Sequence, residues 1–142
     1  KAGRYFYDIA NGTDLREVNP DRTRKSIGKE ITLNKDIDDR TRMVEILGEI
    51  AACLEDAMKK HKIKGRTITL KLKYLDFQSI TRGVTLNKPV DNARIIHKHI
   101  TFLLADTNAG IKKVRLLGIT ISNLATKNPA PGLTQLILPI FQ

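Results

Sequence analysis

Apolar residues alternate with polar ones in several stretches of this chain and recur at helical spacing in others. Ile68, Leu70, Leu72 and Tyr74 take every second position, with Thr67, Thr69, Lys71 and Lys73 between them. This period of two is the signature of a strand with one buried face. A second such run sets Val114 and Leu116, then Ile119 and Ile121, against Arg115, Thr120 and Ser122; Gly118 shifts the parity, so a bulge is expected there. Ile31-Thr32-Leu33-Asn34-Lys35 is nearly repeated as Val84-Thr85-Leu86-Asn87-Lys88, and the echo continues from Ile37 and Val90 to Asp38 and Asp91. Each copy reads as a strand, a turn and an Asp able to cap a helix. After Asp38, Met43, Ile46, Leu47, Ile50, Leu54 and Met58 share one helical face; after Asp91, Ile96, Ile100 and Leu103 do the same. The expected order is β-α-β-β-α-β, an α+β domain. Its four-stranded, mainly antiparallel sheet should carry two helices on one face and leave the other open to water.

The flanks read differently. Arg4 to Ala10 has Tyr5, Phe6 and Ile9 on one face of a short helix, and Asn11-Gly12 supplies a left-handed stop. Such a helix is too short to stand alone in water, so its apolar face is expected to rest on something outside this chain. Thr13 to Arg24 is charged, contains Pro20 and has linker composition. The chain begins at Lys1 rather than Met, and a fragment of a longer protein is expected. At the other end, Asn128-Pro129-Ala130-Pro131-Gly132 breaks regular structure before the apolar Gln135-Leu136-Ile137-Leu138-Pro139-Ile140-Phe141. That stretch fits an extended peptide for a partner's groove, and equally a last strand covering the core.

Composition narrows the function classes. With 142 residues and 41% hydrophobic content, the chain can bury one core. A net charge of +10 and a pI near 9.9 suit a polyanionic partner, nucleic acid or an anionic membrane. No run is long and apolar enough for a membrane span, and no signal peptide is visible. The single Cys53 excludes an internal disulfide and a cysteine-built zinc site, and fits a reducing, cytoplasmic setting. Among Ala51, Ala52 and Leu54 it is expected to be buried or half-buried and inert. No catalytic constellation stands out. His97 and His99 are two apart on a helix and diverge, His61 is alone at a helix end, and Asp36 sits in a turn before Asp38-Asp39. No catalytic and no metal-binding residue is assigned.

The open sheet face is therefore the place to look. Arg24, Ser26, Gly28 and, with a bulge, Lys29 are its candidates on the first strand. Lys71 and Lys73 follow on the second, Ser79, Thr81, Gly83 and Thr85 beside Arg82 on the third, and Arg115, Thr120 and Ser122 on the last. Cations neutralise phosphate, while hydroxyls and glycines let backbone amides approach it. Strand aromatics are scarce, which favours a duplex over stacked single strands, and no cluster suited to base edges suggests sequence-independent binding.

Several segments carry a resemblance. Ala10-x-Gly12-x-Asp14-x-Arg16-x-Val18-x-Pro20 resembles the end of the thumb of Y-family translesion DNA polymerases. Arg24-Lys25-Ser26-Ile27-Gly28, Thr81-Arg82-Gly83-x-Thr85 and Val114-Arg115-Leu116-Leu117-Gly118 are similar to strands of that family's little finger domain, of the bacterial polymerase IV type. Gln135 to Phe141 resembles the peptide Gln-Leu-x-Leu-x-Leu-Phe that binds the bacterial sliding clamp, with Ile140 in place of the last Leu. The resemblance implies a thumb remnant at 1–15, a linker at 16–23, a little finger at 24–124 and a clamp-binding tail at 125–142. It implies a sequence-independent grip on template-primer duplex through Arg24, Lys25, Ser26, Lys29, Thr81, Arg82, Gly83 and Arg115. Gln135, Leu136, Leu138, Ile140 and Phe141 would enter the clamp. Leu116 and Thr120 stand where the family often has a further cation, which weakens the grip expected of the fourth strand. Catalysis, with magnesium, would belong to a palm outside this chain, so the fragment alone should be inactive. A stand-alone nucleic-acid-binding α+β module is the alternative, and a small enzyme using Asp76 or a histidine is a further one.

Overall fold

The structure, a computed structural model, describes residues 2–20 and 22–125. A first helix, α1 (Ala2–Ala10), buries none of its residues; Gly12, at φ 78°, turns the chain away from it. There follow β1 (Ser26–Ile37), α2 (Arg40–Lys60), β2 (Lys64–Tyr74), β3 (Ser79–Val90), α3 (Ala93–Ala105) and β4 (Val114–Ala125). The strands form one sheet in the order β1-β4-β2-β3, every neighbour antiparallel. The last strand thus lies between the first two.

Both helices pack on one face. Met43, Ile46, Leu47, Ile50, Leu54 and Met58 of α2 and Ile96, Ile100 and Leu104 of α3 are buried against Ile68, Leu70, Leu72, Leu117, Ile119 and Ile121. Each such side chain contributes roughly 1.5–3 kcal/mol through burial. The helices start one residue later than Asp38 and Asp91 suggest. Asp39 Oδ1 accepts the Thr41 and Arg42 amides at 2.8 and 3.3 Å, and Asn92 Oδ1 accepts those of Arg94 and Ile95 at 3.0 and 3.3 Å. Asp91 instead pairs with Lys64 at 3.2 Å. Each cap is worth about 1 kcal/mol.

The sequence echo is a structural one. The strands β1 and β3 have the same length, 12 residues, and the same succession of exposed and half-buried positions. Leu70 of β2 and Ile119 of β4 pair at the centre, and the contacts of the two halves are arranged about them. Ile31 opposite Leu117 is matched by Val84 opposite Ile68, and Ile37 opposite Val114 by Val90 opposite Gly65.

The parity shift in β4 lies at Arg115, not at Gly118. Tyr74 pairs with Val114 and Lys73 with Leu116, so Arg115 has no partner in β2. Gly118 sits in regular register between Glu30 and Lys71. Glycine is needed there for closeness, since a Cβ would lie 2.8 Å from that of Glu30. Leu116 consequently shares the face of Lys73, although it is 7% exposed.

Candidate nucleic-acid interface

Paired residues in a sheet share a face, so the registers map the open side row by row. From β1 across to β3 the rows are Ser26, Ser122, Thr67, Thr85; then Gly28, Thr120, Thr69, Gly83; then Glu30, Gly118, Lys71, Thr81; then Thr32, Leu116, Lys73, Ser79. No aromatic residue appears in them. Hydroxyls fill the row at one end, and both lysines lie toward the other. Gly28 abuts Thr120 closely, since a Cβ there would meet Thr120 Oγ1 at 2.8 Å. The edge backbone is therefore bare at that level.

Charge on this face is modest. Lys71 Nζ reaches across Gly118 to Glu30 Oε2 at 2.7 Å, with both side chains substantially exposed. Such a pair is worth about 0–1 kcal/mol and exchanges readily for a phosphate. Among the described residues, the Lys73 ammonium has no ion pair. Arg24 and Lys25, both exposed, precede β1 directly.

Two of the cations expected on this face lie elsewhere. Lys29 pairs with Ile119 and Arg82 with Leu70, so both stand on the helix-covered side, at opposite edges of one row. Lys29 Nζ contacts Cys53 Sγ at 3.1 Å, and Arg82 Nε contacts Asp106 at 3.3 Å at the end of α3. Strand parity is the reason: each is one residue out of step with the open face, and Gly28 does not bulge. Arg115 is held at the irregular end of β4. Its Nε and Nη2 each donate to Asp36 at 3.2 Å, and its guanidinium lies 4.7 Å from the centre of the Phe77 ring. Ser26, Thr81 and Gly83 do stand on the open face.

Other expectations are corrected here. Cys53 is exposed, because Ala51 and Leu54 take the buried positions of that turn of α2. Asp36 belongs to β1 rather than to a turn. Gln135, Leu136, Leu138, Ile140 and Phe141 lie outside the described residues. Sequence reasoning missed Glu30, an acid in the middle of the face, and Arg66, a cation at its hydroxyl end. Alternation along β1 marked Glu30; Arg66 is set in the place of Arg115 by the sheet register, which the sequence echo alone does not reach.

Little here suggests chemistry. His97 Nε2 lies 3.0 Å from the Val44 carbonyl, joining α3 to α2. Among the described residues no group of three or more His, Cys, Asp or Glu could hold a metal. Asp76, in the β2–β3 turn, accepts from the Gln78 amide at 3.0 Å and from Lys112 at 3.2 Å, which lowers its carboxyl below the ordinary range. These are contacts of a turn.

Residues 24–136 match the impB/mucB/samB family C-terminal domain. The chain is 47% identical over 122 residues to DNA polymerase IV of Clostridium perfringens strain SM101, covering 86% of this chain and 34% of that protein. It is 41% identical over 126 residues to DNA polymerase IV of Alkalilimnicola ehrlichii, covering 89% and 35%. It thus spans about a third of the length of the curated relatives it matches. Among solved structures, a Y-family DNA polymerase chimera superposes with a TM-score of 0.64 at 19% identity, over 86% of this chain and 35% of that one. A complex of beta-clamp processivity factor and little finger domain of PolIV gives 0.60 at 23% identity, over 81% of this chain and 99% of that one. The chain belongs to the impB/mucB/samB C-terminal domain family and has the fold of the Y-family little finger.

Proposed function

We propose that this chain is the DNA-gripping and clamp-binding C-terminal part of a translesion DNA-directed DNA polymerase of the polymerase IV type. The observation that carries the reading is the open sheet face, paved with hydroxyls, glycines and lysines and bare of aromatics. Such a surface can lie along a duplex: ammonium groups replace condensed counterions, and hydroxyls and edge amides donate to phosphate oxygens without reading bases. Lys71 and Lys73, with Arg24 and Lys25, are the cations placed for this. Arg82 and Lys29 stand at the sheet's rims, from which long side chains can reach flanking phosphates. Double-stranded template-primer DNA is the partner this favours, because nothing on the face is built to stack an unpaired base.

The polymerase chemistry and its magnesium would reside in the remainder of the parent protein. The peptide Gln135 to Phe141 would moor the enzyme to a bacterial sliding clamp. Support comes from its sequence and from the structural neighbour in which a little finger is bound to beta-clamp. Tethering raises the effective concentration of the weak sheet grip to roughly millimolar. Cytoplasmic residence fits this role; no described helix is long and apolar enough to cross a membrane.

Duplex affinity measured against salt tests the grip. Lys71→Gln with Lys73→Gln should lower the slope of log affinity against log salt by up to about two units. An unchanged slope with intact binding would mean that DNA lies on another surface. Removal of 136–141 should abolish binding to a purified clamp and leave the melting temperature unchanged.

A further inference from the structure

The two halves of the fold treat one pair of arginines differently. Arg115 lies opposite the stretch Leu33 to Asp36, and Arg66 lies opposite the matching stretch Leu86 to Pro89. The carboxylate of Asp36 forks the guanidinium of Arg115 and neutralises it. At the same place in the repeat, the other half has Pro89, which offers neither charge nor a side-chain acceptor. Among the described residues, the Arg66 side chain has no hydrogen bond or ion pair.

What surrounds Arg66 is suited to an anion. It lines an open groove of about 570 Å³ with Thr85, Asn87 and Asn123, backed by Leu86 and Leu124. No acid is among the described lining residues. The hydroxyls are ordered. Asn123 Nδ2 donates to Thr67 Oγ1 at 2.8 Å, and Thr67 Oγ1 lies 2.9 Å from Thr85 Oγ1. Either hydroxyl can donate across this contact; with Thr67 donating, the Thr85 proton is free to point outward to a ligand. A planar guanidinium with five N–H groups, beside an outward hydroxyl and two amides, matches the geometry of a phosphodiester.

We infer that this groove binds a backbone phosphate of nucleic acid, with Arg66 as the anchor and Thr85 as a second donor. The inference rests on the reading of the open face as a DNA-binding surface. The groove adjoins the row Ser26, Ser122, Thr67, Thr85 at that end of the sheet and shares Thr85 with it, so a strand tracked by the hydroxyls would pass Arg66.

The test uses the whole chain, a short mixed-sequence DNA duplex and a salt titration. Arg66→Gln should weaken binding by roughly three- to tenfold and lower the salt slope by about one unit. Pro89→Asp, which supplies the acid that Asp36 supplies in the other half, should do the same while Arg66 remains present. Lys73→Gln serves as the control for the face. A slope unchanged by Arg66→Gln but lowered by Lys73→Gln overturns the groove and leaves the face standing. A slope unmoved by either, or no duplex binding at all, overturns both. Thermal melting monitors folding; if Pro89→Asp does not fold, Arg66→Gln alone decides.

Discussion

The sheet has two ends that share one sequence pattern and now serve different purposes. At one end Arg115 is forked by Asp36, lies against Phe77 and is only a third exposed. At the other, Arg66 is exposed and lies opposite the stretch that ends in Pro89. An arginine held by a half-buried carboxylate belongs to the architecture, and its charge is already matched. The same residue without that acid is a cation available to a ligand. Charge count alone is therefore a poor guide to where a basic protein grips its partner. The relevant quantity is charge that no neighbour has neutralised.

The largest effect that could break this contrast is on stability. Asp36→Ala should destabilise the fold by about 1–3 kcal/mol, because it strands a partly buried guanidinium. Arg66→Ala should stay within about 0.5 kcal/mol, as surface substitutions do. Urea denaturation of the two variants measures both, and equal losses would erase the distinction. Next in size is Phe77→Ala, which removes the ring from the Arg115 guanidinium and should cost about 0.5–1 kcal/mol in the same assay. Affinity for duplex should not change with it. The smallest effect concerns acid. The Asp76 carboxyl is lowered from 3.8 by the Gln78 amide and by Lys112, so the stability it contributes is present above that pH and is lost as pH falls through the folded value. Asp76→Asn should make the acid side of a stability-versus-pH curve shallower below about pH 4. No equivalent change is expected from variants at the Arg66 end.

Much of the architecture could be read from alternation and repeat, because a sheet with one covered face must place apolar residues at every second position. Ile68 to Tyr74 and the stripes of α2 and α3 follow that rule closely. Site residues were harder for a definite reason. Whether Arg82 or Thr81 faces the open side depends on which residue of β2 it pairs with, and pairing is a property of two strands. Arg115 could be located in β4, but its neutralisation by Asp36 required knowing that β1 lies beside β4. Cys53 departs from expectation because the apolar stripe of α2 runs through Ala51 and Leu54 and leaves the thiol at its margin, beside Lys29. The replacement of Asp36 by Pro89 in the second copy is plain in the repeat itself. It acquires meaning only once the arginines opposite are recognised as counterparts.

The placement of β4 between β1 and β2 bears on how the domain comes into being. The strands β2 and β3 can close as a local hairpin, whereas among the described residues β1 pairs with β4 alone, made almost a full domain later. During synthesis the first strand must therefore wait, its apolar residues unpaired, until the last has left the ribosome. High contact order of this kind predicts slow closure and a vulnerable nascent chain, with the helices and the hairpin forming the platform on which the sheet is finally completed.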